Sequence, residues 1–142
     1  MQSKRTVVIT GGTSGIGKQT AITFAKNGFT VFITSRNNDT GKIATDEIIS
    51  ISGNKEVYYI SGNLSSIQEC KNLIKKIATS VPVLDVLINN AGVTTVEKEI
   101  NADGLELSFM VNALAPYILT KGLVNSLEKS TNPRVLNVST GK

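Results

Sequence analysis

The sequence predicts a doubly wound α/β fold, in which helices cover both faces of a five-stranded parallel sheet. Short apolar runs alternate with longer stretches of helical periodicity, which is the pattern of strands joined by helical crossovers. These apolar runs are continuous, as in strands that are buried on both faces. No Pro/Ser-rich linker, repeat or low-complexity tract divides the 142 residues, so we expect one three-layer domain. The expected strand order is 3-2-1-4-5.

The predicted strands are short and apolar, and they lie at 6–10, 30–34, 56–60, 84–88 and 134–138. The predicted helices lie between them, at 16–27, 40–52, 65–79 and 105–129. Gly28 and Gly53 are the expected C-terminal stops of the first two helices. Ser65 or Ser66 is the expected N-cap of the third. The first helix is expected to bury Ile16, Ala21, Phe24 and Ala25.

The composition excludes several kinds of site. The chain has no His, which excludes Ser-His-Asp triads, Cys-His dyads and histidine metal sites, and we expect no metal. The single Cys70 cannot form an internal disulfide, so we expect a cytoplasmic, reducing compartment. We expect Cys70 itself to be buried and to pack as a small apolar side chain. No apolar run is long enough to span a membrane. Because only residues 1–5 precede the first predicted strand, we expect no signal peptide.

The charge balance is mildly basic, with 15 Lys and Arg against 11 Asp and Glu, a net charge of +4. Basic residues cluster only at Lys4-Arg5 and Lys75-Lys76, whereas a nucleic-acid surface needs many of them on one face. We therefore expect no nucleic-acid partner. The charge suits an anionic small ligand at least as well.

The first motif is the run TGGTSGIG at 10–17, between the first strand and the first helix. Glycine lets the backbone turn sharply and lets a phosphate approach closely. The helix then directs free N–H groups and its positive dipole end at that phosphate. Because no Gly-Lys-Ser/Thr ending follows, the run is not a P-loop for nucleoside triphosphates. It favours a dinucleotide site over the alternative, a plain strand-to-helix turn.

The second motif is Arg36, at the end of the second strand. Sites for NAD usually carry an acidic residue here, which binds the ribose hydroxyls, whereas an Arg can pair with the extra 2′-phosphate of NADP. Lys18 could add positive charge nearby. Asp39 is explained more simply as the N-cap of the next helix. The alternative for Arg36 is a solvated loop charge.

Asn side chains follow the third and fourth strands. Asn63 can donate and accept, so it could hydrogen-bond an adenine edge, although a turn residue is the simpler interpretation. The run NNAG at 89–92 has small residues that let the backbone approach a ligand. Its Asn side chains can join neighbouring loops, and a plain turn is an equally good explanation.

In order and spacing these motifs resemble the short-chain dehydrogenase/reductase family. The resemblance rests on TGxxxGIG at 10–17, NLS at 63–65, NNAG at 89–92, Asn112 and RVLNVS at 134–139. The runs DGLE at 103–106 and TSRN at 34–37 are most similar to the branch of retinol dehydrogenases and WW-domain oxidoreductases. The resemblance implies a three-layer Rossmann-type fold, of which residues 1–142 would be the NADP-binding domain. The C-terminal part of the family fold is then expected to be missing.

The resemblance also implies an activity and a set of site residues. The activity is reversible hydride transfer between NADP (NADPH) and a small carbonyl or alcohol substrate. Ser139 would orient that substrate, and Asn112 would hold a water in the proton relay. The family usually has Asp at position 63, so Asn63 is expected to weaken the adenine contact. The residues assigned to the cofactor are Gly11, Thr13, Ser14, Gly15, Ile16, Gly17, Arg36, Asn63, Leu64, Asn90, Ala91 and Gly92.

Asn112 also has a physical reason to bind water. Pro116 has no N–H, so it frees the carbonyl of Asn112 four residues earlier and should bend the helix there. A freed carbonyl near the cofactor could hold a water. The alternative is a proline that is simply tolerated in a buried helix.

The family's acid/base pair is a Tyr followed four positions later by a Lys, on the helix after Ser139. Only three residues follow Ser139, so the catalytic set is expected to be incomplete here. Tyr117 and Lys121 have the same i, i+4 spacing but precede Ser139. We expect Tyr117 to be an aromatic packing residue and not a catalyst.

Two kinds of function therefore stay open. One is the cofactor-binding part of an NADP-dependent oxidoreductase. The other is a catalytically dead NADP-binding or dimerising module, or a non-functional fragment. Without further strands, strand five would be an exposed sheet edge. In the family the helix at 105–129 lies in a dimer interface, so we expect self-association or pairing with a full-length relative through it. Its apolar residues are Met110, Val111, Leu114, Ile118, Leu119 and Leu123.

Overall fold

A computed structural model of the chain describes residues 4–139. These residues form a five-stranded sheet in the order β3-β2-β1-β4-β5, and all neighbouring strands are parallel. The predicted fold class and strand order are thus confirmed. The strands are β1 (Thr6–Ile9), β2 (Thr30–Ser35), β3 (Val57–Ser61), β4 (Val86–Asn89) and β5 (Arg134–Asn137).

Helices connect the strands and lie on both faces of the sheet. The first three are close to their predicted positions: α1 (Gly15–Lys26), α2 (Asn38–Ser52) and α3 (Ile67–Ser80). After β4 come α4 (Leu107–Phe109), a π-helical turn (Met110–Leu114), α5 (Ala115–Gly122) and α6 (Val124–Glu128). Across residues 4–139, no helix combines the length and the apolarity that a bilayer crossing requires.

Alternation along β1 divides the core into two layers. Val7 and Ile9 are fully buried in a cluster with residues of α1 and α2. Val8, which points to the opposite face, is buried with residues of α3 and of the helices after β4. Because successive residues of a strand face opposite sides, a continuous apolar run supplies both layers at once. This explains why the strands read as unbroken apolar segments.

Several expectations about helix ends need correction. Ile16 is 66% exposed, because it lies in the first turn of α1 beside the glycine run and not over the sheet. Asp39 does not cap α2. The N-cap is Asn37, whose side chain accepts hydrogen bonds from Asp39 and Thr40 N–H. Ser66 caps α3 by accepting a bond from Glu69 N–H, as one of the two alternatives predicted.

The helix predicted at 105–129 is interrupted. A π-helical turn spans Met110–Leu114, and Ala115 N–H donates to Met110 C=O five residues earlier. Pro116 follows directly, so the wider turn accommodates a residue that has no N–H to donate. A second break falls at Leu123, whose φ of −104° and ψ of 8° lie outside the helical range. The interruption at the proline agrees with the predicted disturbance near Asn112.

The six apolar residues of this segment on which the expected self-association rests are buried or partly buried against the core, and self-association itself stays a prediction. Met110, Leu119 and Leu123 are at most 1% exposed and pack into the core with α3, because the segment covers one face of the sheet. The segment exposes other apolar side chains, namely those of Phe109, Tyr117 and Val124. Within the described residues β5 pairs with β4 alone, and every residue of β5 is exposed, as expected for an edge strand.

Cys70 is fully buried on α3, where its Sγ lies 3.9 Å from the carbonyl oxygen of Leu64. Desolvation by burial raises the pKa of the thiol to about 11.

We therefore expect a thiol reagent at pH 8 to leave Cys70 of the folded chain unmodified and to react with it after unfolding in urea. In the unfolded chain the thiol ionises near its ordinary pKa of 9.0. The part of the free energy of unfolding that depends on keeping this thiol neutral is therefore fully present below pH 9, and it falls as the pH rises towards 11. Rapid labelling under native conditions would contradict this burial.

Candidate functional site

The carboxyl ends of the central strands open onto a cleft of about 370 Å³. In a parallel sheet these ends meet at one edge, where the loops after β1, β2, β3 and β4 come together. Nine of the residues assigned to a cofactor line this cleft, together with Thr34, Ser35, Gly62, Ser65, Val93, Leu107 and Val111. The nine are Gly11, Thr13, Ser14, Arg36, Asn63, Leu64, Asn90, Ala91 and Gly92.

The start of the glycine run lines the cleft with Gly11, Thr13 and Ser14. Gly11 has a φ of +67° and Gly15 a φ of +55°, conformations that side chains other than glycine rarely adopt. Gly17 does not line the cleft but lies beneath it, where an added Cβ would be 2.4 Å from the carbonyl oxygen of Gly11. Because Gly17 has no side chain, α1 can begin directly under the glycine turn. Gly15 and Ile16 line a shallower depression on the outer side of α1.

The N-terminus of α1 differs from those of α2 and α3. Its N-cap residue Ser14 makes no side-chain capping bond, and its first turn carries no acidic residue. In α2 and α3 the cap side chain accepts a backbone bond, and Asp39 and Glu69 lie in the first turns. Uncapped N–H groups and the helix dipole at the glycine turn make this end suitable for a phosphate.

Thr10 and Asn90 join the glycine turn to the loop after β4. The Thr10 hydroxyl accepts hydrogen bonds from the N–H groups of Asn90 and Ala91, each at 3.0 Å. The Asn90 amide nitrogen donates to the carbonyls of Thr10 and Gly11, each at 3.1 Å. This supports the view that Asn side chains join neighbouring loops here. Asn90 holds the turn in shape, and Ala91 and Gly92 leave space above it.

Positive charge at the cleft comes from Arg36. It is exposed, follows β2 directly and forms no ion pair with any residue from 4 to 139. Lys18, which was expected to add charge, is paired with Glu47 of α2. Because that carboxylate offsets the Lys18 charge, Arg36 is the cation available to an anionic group beyond β2.

The loop after β3 is a hydrogen-bonded turn. Asn63 Oδ1 accepts a hydrogen bond from Ser65 N–H at 3.0 Å, as expected of a turn residue. The segment at 101–103 holds the far side of this turn: Asn101 Nδ2 donates to the carbonyl of Ser65, and Asp103 Oδ2 accepts from Ile67 N–H, both at 2.9 Å.

A second cleft, of about 420 Å³, adjoins the first and shares Ala91 with it. Asn112 and Ser139 both line this second cleft, so the two residues assigned to catalysis lie together and next to the first cleft. Asn112 does not present a free side chain. Its amide donates to the Val93 carbonyl and accepts from Val93 N–H, both at 2.8 Å.

Tyr117 also lines the second cleft, and the packing role expected for it is wrong within the described residues. Its side chain is 60% exposed, and the Lys121 ammonium lies 5.8 Å from its ring centroid. The reason is that Leu119 of α5 packs into the core, whereas Tyr117 projects from the same helix beside the uncovered β5. Neighbouring Asn89 is 4% exposed, and its Oδ1 has no hydrogen-bond partner in the described part of the chain.

Sequence reasoning missed several residues that build the site. Thr10 was placed in the glycine motif but given no role of its own, because its bridging hydroxyl depends on the position of a loop 80 residues away. Asn101 and Asp103 were also missed as anchors of the β3 loop. The run Asn-Ala-Asp-Gly at 101–104 is a turn signal, since Asn101 Oδ1 accepts from Asp103 N–H and Gly104 has a φ of +76°.

A comparison with protein families decides the assignment. The profile of the short chain dehydrogenase family matches residues 5–142, which is nearly the whole chain. The chain belongs to the short-chain dehydrogenase family. Human dehydrogenase/reductase SDR family member 12 is 42% identical over 137 residues, covering 96% of this chain and 43% of that protein. Human retinol dehydrogenase 11 is 36% identical over 135 residues, covering 95% of this chain and 42% of that protein.

Solved structures agree with this assignment to the short-chain dehydrogenases. An active-site complex of Pseudomonas aeruginosa RhlG with NADP has a TM-score of 0.79 and 25% identity, covering 97% of this chain and 58% of that chain. A metagenomic short-chain oxidoreductase in complex with NADP has a TM-score of 0.82 at 23% identity, covering 97% of this chain and 63% of that chain. This short-chain dehydrogenase chain therefore spans less than half the length of the two human relatives and somewhat more of these bacterial and metagenomic folds.

The described residues fit a dinucleotide. The cleft is lined by Gly11 of the glycine turn, and among the described residues it has an uncapped helix N-terminus beside it and one available cation in Arg36. Added Cβ atoms at Gly11 and Gly12 would lie 2.9 Å from Ala91 Cα and 2.4 Å from Ile33 Cγ2. The turn thus packs closely against β2 and the β4 loop.

Proposed function

We propose that this chain is the NADP(H)-binding domain of an oxidoreductase that acts on a small carbonyl or alcohol. The observation that carries the proposal is the pairing of the uncapped α1 N-terminus at the glycine turn with Arg36 across the same cleft. The first suits a pyrophosphate and the second an additional phosphate on the adjacent ribose. The choice of cofactor is supported by two solved structures of similar fold that are complexes with NADP.

In this proposal each residue has a limited task. The glycine turn and the α1 N–H groups bind the pyrophosphate, and Arg36 binds the 2′-phosphate. Thr10 and Asn90 keep the turn in its binding shape. Ala91 and Gly92 let the cofactor extend towards the second cleft, where Ser139 would donate a hydrogen bond to a substrate oxygen. NADPH, when bound, supplies the hydride.

The test is thermal unfolding of the 142-residue chain with NADPH or NADH at matched concentrations. A ligand at a hundred times its dissociation constant adds about 2.7 kcal/mol to the free energy of unfolding. We expect a cooperative transition that NADPH raises by several degrees and NADH raises much less. If both nucleotides leave the transition unchanged, the cleft is not a dinucleotide site.

A catalytically dead module is the second candidate, and the exposed β5 favours it. An apolar edge strand with Val135 and Leu136 about 40% exposed can pair with another chain. Reduction of a panel of aldehydes with NADPH distinguishes the two functions. Activity above background that is lost in Ser139→Ala, with NADPH binding retained, would contradict the dead module. Sedimentation at increasing concentration would reveal association, and a chain that stays monomeric would contradict the dimerising module.

A further inference from the structure

Arg36 lies between two residues that are hydrogen-bonded to each other. The Ser35 hydroxyl donates to the Asn37 carbonyl at 2.6 Å, and it accepts from Asn37 N–H at 3.2 Å. These bonds close a small ring that contains the backbone of Arg36. Because rotation about φ or ψ of Arg36 would break the ring, the point from which its side chain extends is fixed.

The two residues that flank Arg36 are themselves anchored in regular structure. The Ser35 carbonyl accepts from the N–H of Gly62, the residue after β3, at 2.9 Å. Asn37 is the N-cap of α2, and its Oδ1 accepts from Asp39 N–H at 2.7 Å. The backbone is therefore held to β3 before Arg36 and to α2 after it.

The Ser35 hydroxyl is used inside the chain. Ser35 lines the main cleft, but it is only 7% exposed, and the single hydrogen of its hydroxyl goes to the Asn37 carbonyl. A phosphate could receive that hydrogen only if the ring opened. Arg36 differs, since it is exposed and pairs with no carboxylate between residues 4 and 139. Ser35 thus fixes the backbone, and Arg36 carries the charge.

We propose that Ser35 is a positioning residue, which sets the preference for NADPH over NADH by holding the backbone of Arg36 at the cleft. This inference rests on the proposed function, in which Arg36 binds the 2′-phosphate. An Arg side chain already loses rotamer freedom when it binds a phosphate, and a mobile backbone would add the cost of ordering φ and ψ. NADH has no 2′-phosphate, so its binding does not depend on the ring.

The test is calorimetric titration of wild type, Ser35→Ala, Arg36→Ala and the double variant with NADPH and with NADH. Ser35→Ala removes both bonds of the ring, and we expect the affinity for NADPH to fall about three- to tenfold while that for NADH is unchanged. In the Arg36→Ala background the same Ser35→Ala change should alter neither affinity, because the side chain that it positions is gone.

Ser61→Ala is the matched control for Ser35→Ala. Ser61 is the partner of Ser35 in the register of β2 and β3, and its hydroxyl accepts from Lys76 Nζ and not from the Arg36 ring. It does not line the main cleft, so both nucleotides should bind as they do to wild type. Thermal unfolding of each variant without nucleotide measures general destabilisation, which would weaken both nucleotides and leave the ratio of their affinities unchanged.

The outcomes separate the role of Ser35 from the proposed function. If Arg36→Ala loses the NADPH preference and Ser35→Ala keeps it, the positioning role is overturned and the NADP site stands. A loss of NADPH affinity that persists in the Arg36→Ala background overturns the role as well, since Ser35 would then act on the nucleotide directly. Binding of neither nucleotide to wild type overturns both proposals. Should Ser35→Ala fail to fold, Ser35→Cys makes the same comparison, because a thiol of similar size is a weak donor and acceptor.

Discussion

Arg36→Ala is expected to remove most of the preference for NADPH over NADH. Arg36 is the cation that the cleft offers beyond β2, because Lys18 is paired with Glu47. One charge-assisted hydrogen bond to a phosphate corresponds to about ten- to a hundredfold in affinity. Since Arg36 is exposed, solvent and salt screen it, and we expect the lower end of that range. Titration calorimetry with both nucleotides measures the ratio of dissociation constants.

Arg134→Ala is the matched control for Arg36→Ala. It removes the same charge, but Arg134 is the first residue of β5. It therefore lies at the amino ends of the strands, away from the cleft at their carboxyl ends. The control should leave the nucleotide preference unchanged. The wild-type preference should also weaken as salt rises from 50 to 500 mM, values chosen to shorten the screening length several-fold. An Arg36→Ala chain that still selects NADPH as well as wild type would show that another group reads the 2′-phosphate.

Gly17→Ala is expected to destabilise the chain and to abolish nucleotide-induced stabilisation. The new Cβ would lie 2.4 Å from both the Gly11 carbonyl oxygen and Asn90 Nδ2. The carbonyl is backbone, so the turn itself must shift. Overpacking of this kind costs about 1–3 kcal/mol. The shift would also break the Asn90 bonds to Thr10 and Gly11 that hold the turn. Thermal unfolding with and without NADPH measures both effects.

Gln19→Ala is the control for Gly17→Ala. It lies two residues further along α1, is exposed and does not line the main cleft, so stability and the response to NADPH should stay at wild-type values. Normal NADPH stabilisation of Gly17→Ala would mean that the close packing under the turn is not needed for binding. If Gln19→Ala lost as much stability and as much of the response to NADPH, the effect would come from disturbing α1 as a whole and not from the glycine turn.

The fold was predictable because its elements follow from local patterns. Continuous apolar strands, glycine stops and the serine cap of α3 depend on residues close together in the chain, and they were located within about two residues. The segment after β4 was less predictable. Its break at Met110–Leu114 arises where Pro116 must fit into a helix that also packs on α3. The exposure of Tyr117 depends on what covers β5, which no local pattern reports.

The candidate site shows the same division. Alternating strands and helices, with polar and glycine-rich runs after each strand, determined from sequence alone the fold class and the edge of the sheet that carries the site. Only the tertiary structure decided how each side chain is used. Asn90 holds the glycine turn, Asn63 holds the turn after β3, and Lys18 is neutralised by Glu47. The Asn90 and Lys18 contacts join residues 29 or more positions apart, and the packing of the sheet and helices, not the local sequence, brings such partners together.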